Sequence, residues 1–308
     1  MKIENRNFKD TVFRMLFNDK KRLLELYNAL NKTSYDNPEA LVIKTLKGMT
    51  FLGMKNDVSF IIDDELNLYE HNSTPCPNIP LRFLFYIASS LRKLVPLKDT
   101  YKDEPVEIPA PRFLVFYNGT APLPDKIEYR LSDMYKKEMV GNDLELHVTV
   151  LNVNEGRSKE LMESCRTMKE YSIFVAKVRK YRQETKRKHS KDYYTENKLS
   201  LIEADVTRAI DECIEENILR DFFIAHRKEA IDVSILDCTA EEQYQVIADE
   251  NLEKGIRIGV TQGITQTNSL YSWLFSNNRA DDVQRASMDS EYLNKLFDEY
   301  NENKAGKE

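Results

Sequence analysis

The segment that most limits what this chain can fold into is Asp57 to Asn72, DVSFIIDDELNLYEHN, in its first quarter. It reads as a β-hairpin with an acid at each open end. With the turn at Asp63-Asp64, residues whose numbers sum to 127 face one another, so Ile62 pairs with Glu65, Ser59 with Leu68 and Asp57 with Glu70. Period-two alternation puts Asn72 on the face of Glu70 and His71 on the opposite one. Two carboxylates and an amide then converge at one end of a sheet. A hard divalent ion such as Mg²⁺ takes oxygen ligands and would relieve the repulsion between the acids; the plain alternative is that both acids end their strands in solvent. Both faces of Val58 to Leu68 carry apolar residues, which predicts a hairpin inside a sheet covered on both sides.

Around the hairpin the pattern alternates between helix and strand. Val12, Phe13, Leu16, Phe17, Leu23, Leu24, Tyr27 and Leu30 predict a first helix from about Asp10 to Leu30, with Asp10 as its cap. A strand is expected near Leu41 to Phe51. After the hairpin, Pro77 and Pro80 lead into a helix from Leu81 to Leu94, with Pro80 suited to its first position. Strands follow at Phe113 to Tyr117, ended by Asn118-Gly119, and at Leu144 to Val153. From about Ser158 the chain is helical in pattern, with one stripe of Tyr171, Phe174, Val175 and Val178 and another of Ile202, Val206, Ala209, Ile210 and Cys213. Gly255, Gly259 and Gly263 recur every four residues within GIRIGVTQGITQTNSL. If that stretch is helical, three costly glycines predict close packing on another element or on a second copy of the same helix, with Ile256, Val260 and Ile264 beside them; a flexible linker is the alternative. Leu270 to Tyr300 closes the chain as a helical segment with Trp273 as a packing anchor. The expected divisions are 1–155, a sheet-containing core; 156–240, a helical region; and 241–308, a helical tail with a capacity for homo-oligomer formation.

Composition narrows the classes. With 41% hydrophobic and 31% charged residues in 308, this is a globular composition, and the absence of a long apolar run or secretory start predicts a cytoplasmic protein with no membrane partner. The four cysteines, at 76, 165, 213 and 238, are too scattered for a zinc site or disulfide framework. A net charge of −6 opposes non-specific nucleic-acid binding by the chain as a whole, so local patches must supply it. The clearest is Lys177 to Lys191, where Lys177, Arg179, Lys180, Arg182, Lys186, Arg187 and Lys188 are candidate phosphate contacts, unless the run is a solvated helix end. Arg82, close in sequence to the acids, is a further candidate, for a phosphate or for the Glu70 carboxylate, against the commoner outcome of an ordinary surface arginine.

The spacing of Asp57 and Glu70-His71-Asn72 resembles the PD-(D/E)XK nuclease signature, and LNLYEHNSTPCPNIPLRFLFYIA, Leu66 to Ala88, is similar to the Rpn-type recombination-promoting nucleases, also described as PD-(D/E)XK nuclease family transposases. The likeness extends to KDTVFRMLF (Lys9 to Phe17), RFLVFYNGT (Arg112 to Thr120), LHVTVLNVN (Leu146 to Asn154) and AIDECIEENIL (Ala209 to Leu219). It implies an α/β fold with a restriction-endonuclease-like αβββαβ core and a helical C-terminal extension. It further implies a metal-dependent DNA endonuclease in which Asp57, Glu70 and the backbone carbonyl of His71 hold Mg²⁺ or Mn²⁺ and Asn72 orients water or phosphate. Family members carry Glu-x-Gln where the wider superfamily has Glu-x-Lys. Asn72 is one methylene shorter than Gln, which implies slow chemistry. A nucleic-acid-binding module without turnover and a self-associating structural protein are the alternatives.

Overall fold

A computed structural model describes residues 12–43, 58–137, 141 and 143–305, and the backbone alone of 240–251 and 304–305. Two helices, α1 (Val12–Phe17) and α2 (Lys20–Asn31), stand where one was expected. The break is at Asp19, whose backbone is extended at φ −79° and ψ 124° and whose carboxylate accepts from the Arg22 amide at 3.0 Å. That N-cap starts a new helix instead of continuing the old one. The expected cap, Asp10, lies outside the described residues.

Strand β1 (Val42–Ile43) is the described part of the strand expected from Leu41 to Phe51; residues 44–51 lie outside the description. Strands β2 (Val58–Ile62) and β3 (Glu65–Asn72) form the hairpin in the expected register, Ile62 against Glu65, Ser59 against Leu68 and Val58 against Tyr69. Asp63 and Asp64 take φ of 47° and 56°, the two successive left-handed residues that a type I′ turn requires. Asp57, the residue before β2, is outside the described residues.

Helix α3 (Ile79–Leu94) begins two residues ahead of the expected Leu81, so Pro80 sits second in the helix, still in the first turn, where its missing N–H has no intrahelical partner to lose. Strands β4 (Ala110–Tyr117), β5 (Lys126–Arg130) and β6 (His147–Asn152) complete the sheet. The order helix, three strands, helix, strand holds through β4. Strand β5 is an addition: KIEYR is short and mostly charged, and lacks the apolar run that marks β4 and β6.

The strands are ordered β1-β2-β3-β4-β6-β5. The β1, β2 and β3 pairings are antiparallel, β3, β4 and β6 run parallel, and β5 returns antiparallel to β6. The described residues are therefore mixed α/β, a six-stranded mixed sheet followed by a helical region. That region comprises α4 (Lys159–Ser164), α5 (Arg166–Lys188), α6 (Lys191–Glu196), α7 (Lys198–Glu215), α8 (Arg220–Ala225), α9 (Arg227–Ser276), α10 (Ala280–Ala286) and α11 (Ser290–Ala305).

Both sheet faces are covered. On one, Phe60, Tyr69 and Phe116 pack with Phe13, Phe17 and Leu23 of α1 and α2 and with Tyr171 and Phe174 of α5, which in turn meets Ile202, Val206, Ala209 and Cys213 of α7. On the other, Leu66, Leu68, Val115, Val148 and Val150 receive Ile79, Phe83, Tyr86 and Ile87 of α3. Residues of the expected divisions 1–155 and 156–240 share the first of these cores. The contacts separate two compact units at Thr239/Ala240. The second has its own core, where Leu270, Leu274 and Leu296 gather beside Trp273, whose ring lies 5.6 Å from that of Tyr300.

The glycine stripe is helical, inside α9, and a Cβ at Gly255, Gly259 or Gly263 would meet nothing within 4 Å among the described residues, so of the two expected packings the one on another element of the chain is not made there. Ile256, Val260 and Ile264 beside it are exposed. No described helix is long and apolar enough to cross a membrane.

Candidate active site at the end of β3

Strand alternation carries Glu70 onto the α3 face of the sheet, where it is 1% exposed. A carboxylate that deep needs a counter-charge. Arg82, one turn into α3, provides it: Nη2 lies 3.2 Å from Oε1 and 3.1 Å from Oε2 of Glu70. The same guanidinium donates to the Tyr86 hydroxyl at 3.4 Å, and its side chain is 29% exposed. Burial alone would lower the Arg82 pKa, but the Glu70 charge and the Tyr86 contact raise it above the arginine range. Burial, with the Glu70 charge next, likewise raises the Tyr86 phenol. Arg82 is thus brought to the Glu70 carboxylate, the second of the two roles expected of it.

Asn72, the last residue of β3, shares this face and is half-buried. Its carbonyl accepts from the Asn118 amide at 3.1 Å, which fixes the strand end. A crevice of about 10 Å³ beside Asn72, lined also by Cys76 and Tyr117, is at the lower limit of room for one water. The expected second acid, Asp57, falls outside the described residues. Among the described residues no group of three His, Cys, Asp or Glu side chains is arranged to hold a metal ion. What the described residues bring together is one carboxylate and one amide, both hard oxygen donors of the kind Mg²⁺ takes, with a guanidinium already on the carboxylate.

His71 faces the other way, as alternation requires. Its ring stacks on Phe13 at 4.8 Å and its Nε2 lies 2.9 Å from the Tyr171 hydroxyl. Burial, then the nearby Arg179 charge, pushes its pKa down to about 3, so the imidazole is neutral at ordinary pH.

Behind His71 is a polar network that the sequence reading did not assemble. The Asn118 side chain donates to the Tyr171 hydroxyl at 3.0 Å, Arg179 donates to the Asn118 carbonyl and, at 2.8 Å, to the Asn154 side chain, and Asn154 donates to the Gly119 carbonyl at 3.0 Å. It ties the C-terminal ends of β3, β4 and β6 to α5. The asparagines that follow the apolar runs of β4 and β6 were the available signal. Gly119 is there because nothing larger fits: a Cβ would stand 1.9 Å from the Ser73 carbonyl oxygen.

The basic run of α5 divides. Lys177 pairs with Glu212 and Glu216 at 2.5 and 3.0 Å, Arg179 belongs to the network just described, and Arg182, 6% exposed, donates to the Cys238 carbonyl at 3.3 Å. These three hold the fold together, since they lie on the sides of α5 turned toward α7, the strand ends and α9. Lys180, Lys186, Arg187 and Lys188 are exposed, with Lys180 5.5 Å over the Tyr181 ring and Lys186 5.5 Å over that of Tyr194. The run belongs to the α5 side of the sheet, whereas Glu70, Asn72 and Arg82 occupy the α3 side.

Comparison with protein-family models, with curated proteins and with solved structures finds no match.

Proposed function

We propose that the chain is a divalent-metal-dependent DNA endonuclease of the recombination-promoting type, built on a PD-(D/E)XK αβββαβ core and acting in the cytoplasm. The observation that carries this reading is the end of β3, where Glu70 and Asn72 share one sheet face and the crossover helix α3 delivers Arg82 to the carboxylate. Glu70, Asp57 and the His71 carbonyl would hold the Mg²⁺ or Mn²⁺ ion, which when bound supplies a water of lowered pKa and offsets charge on the phosphate.

The chain's own groups do the rest. Arg82 sets a counter-charge beside the Glu70 carboxylate, and its part-exposed side chain ends in the planar fork that suits a phosphate. Asn72 orients a water or a phosphate oxygen by hydrogen bonding and, as an amide, takes no proton. Lys180, Lys186, Arg187 and Lys188 hold the DNA backbone away from the reacting phosphate. Self-association through the exposed α9 stripe belongs to the same reading, and sedimentation over a range of concentrations checks it.

The test is nicking of supercoiled plasmid in Mg²⁺, Mn²⁺ or chelator. Cleavage is expected with metal only, lost in Glu70→Gln and Asp57→Ala, and equal or faster in Asn72→Gln. Cleavage that survives chelator or either acid substitution sinks the reading. The depth of Glu70 and its pairing with Arg82 favour a second reading, a nuclease fold that binds nucleic acid without cutting it. Retention of DNA in a gel shift, with no nicking under any metal, would select that one.

A further inference from the structure

Helix α5 ends at Lys188 and α6 starts at Lys191, and the corner between them is strongly basic. Residues 186–196 carry four lysine or arginine side chains against two acids, Asp192 and Glu196, in a chain of net charge −6. Arg187, Lys188 and Lys191 are exposed and make no ion pair among the described residues. Charge of this kind also marks ordinary solvated helix ends, so the aromatic side chains at the corner decide the matter.

His189 and Tyr193 stack, with ring centroids 4.7 Å apart and planes inclined by 20°. The Ser190 hydroxyl accepts from the Tyr193 amide at 3.3 Å, which fixes where that ring leaves the backbone. With His189 on one face, Tyr193 is still 47% exposed, so its other face is open to solvent. The neighbouring tyrosines offer no such face. Lys186 lies 5.5 Å over the Tyr194 ring, and Tyr181, 2% exposed, has Lys180 at 5.5 Å and Arg208 at 3.8 Å over its own. An aromatic face held in water among these cations fits an anionic polymer whose own rings are accessible. In a duplex each base is covered above and below by its neighbours. In a single strand the base faces are free to stack on a side chain while the flanking phosphates meet lysine and arginine.

We infer that the corner between α5 and α6 is a stacking platform for unpaired bases, and that the nucleic acid it takes is a single strand. One base lies on the open face of Tyr193, extending the stack begun by His189, and Arg187, Lys188 and Lys191 take the phosphates on either side. The inference rests on the assignment of this basic run to the DNA backbone and narrows it to strands with unpaired bases. It is independent of the chemistry proposed at Glu70, because binding at the corner involves no metal.

Fluorescence anisotropy of the full chain in chelator tests it. The probes are a labelled oligothymidylate of about 20 nucleotides, a duplex of the same length, and an abasic strand that keeps sugar and phosphate but lacks the bases. The oligothymidylate is expected to bind at least about tenfold more tightly than either of the others. Tyr193→Ala and Tyr193→Leu should each lose about tenfold in affinity for the single strand and keep the duplex affinity, whereas Tyr193→Phe should match the parent, since stacking needs the ring and not the hydroxyl. Tyr193→Leu keeps apolar bulk against His189, so its melting temperature should stay at the parental value. A tyrosine that only braced the corner would lower the melting temperature when replaced and leave the preference for single strands unmoved. Equal or tighter binding of the duplex, equal binding of the abasic strand, or unchanged single-strand affinity in Tyr193→Leu overturns the inference. Nicking has no bearing on these results, because no metal is present: a chain that never cuts DNA can pass this test, and one that cuts in Mg²⁺ can fail it.

Discussion

Glu70 is 1% exposed and is paired with the Arg82 guanidinium, so the weight of that pair shows most clearly when half of it is removed. Arg82→Ala should cost about 3 kcal/mol in urea unfolding, toward the lower end for a broken buried pair because Arg82 is itself 29% exposed. Glu70→Leu with Arg82→Met, which removes both charges, should recover most of that loss. Gly119→Ala should destabilise by about 1–3 kcal/mol, since the methyl group meets the Ser73 carbonyl, which cannot rotate away as a side chain would. The thiols give a chemical readout at this scale. Burial pushes Cys165 and Cys213 up to about 12, Cys238 is 6% exposed and Cys76 is half-buried. Near pH 8 Cys165 and Cys213 hold almost no thiolate and Cys238 is shielded by burial, so Ellman's reagent should titrate Cys76 alone in the native protein and all four in denaturant. Alternation already separated Glu70 and Asn72 from His71, because a strand's period of two is local. Nothing local could bring Tyr171 to His71 from 100 positions away.

Elements show the same division between what is local and what is not. The hairpin register followed from two turn residues and a parity rule, and the structure has it at Ile62 and Glu65. The interruption between α1 and α2 was harder to see, because the apolar positions continue across it and only the Asp19 cap marks the restart. The fate of the basic run could not be read at all. Lys177, Arg179 and Arg182 are indistinguishable in sequence from Lys186, Arg187 and Lys188, and it is tertiary partners, among them the acids of α7, the Asn154 side chain and the carbonyls of Asn118 and Cys238, that draw the first three inward. Replacing Lys186, Arg187 and Lys188 by Gln should therefore reduce DNA affinity and its salt slope without loss of stability, whereas Lys177→Gln should lower stability. The glycines of α9 carry an expectation of their own. With open space around Gly259, Gly259→Ala should increase the helicity of that segment by about 0.8–1 kcal/mol, measured as slower amide exchange across residues 252–268. Slowed exchange without any change in sedimentation would leave a helix that meets no partner.

At the scale of the molecule, the two units contain separate hydrophobic cores, and the spectroscopic probes are divided between them. Trp273, the sole tryptophan, belongs to the second unit, while Cys165 and Cys213 are buried in the first. In a urea series, tryptophan fluorescence and thiol reactivity should give different midpoints, and coincident curves would mean that the units unfold as one. The sheet itself ends at β5, where Lys126, Glu128 and Arg130 occupy the alternate exposed positions. An outer strand offers a row of backbone donors and acceptors to any other chain that drifts alongside, and charge at every second residue makes that approach unfavourable. Substituting valine at all three should turn a concentrated solution turbid while each molecule still folds, as light scattering would record. Crowding tolerance in this acidic chain is then set at one strand of five residues as well as by its overall charge of −6.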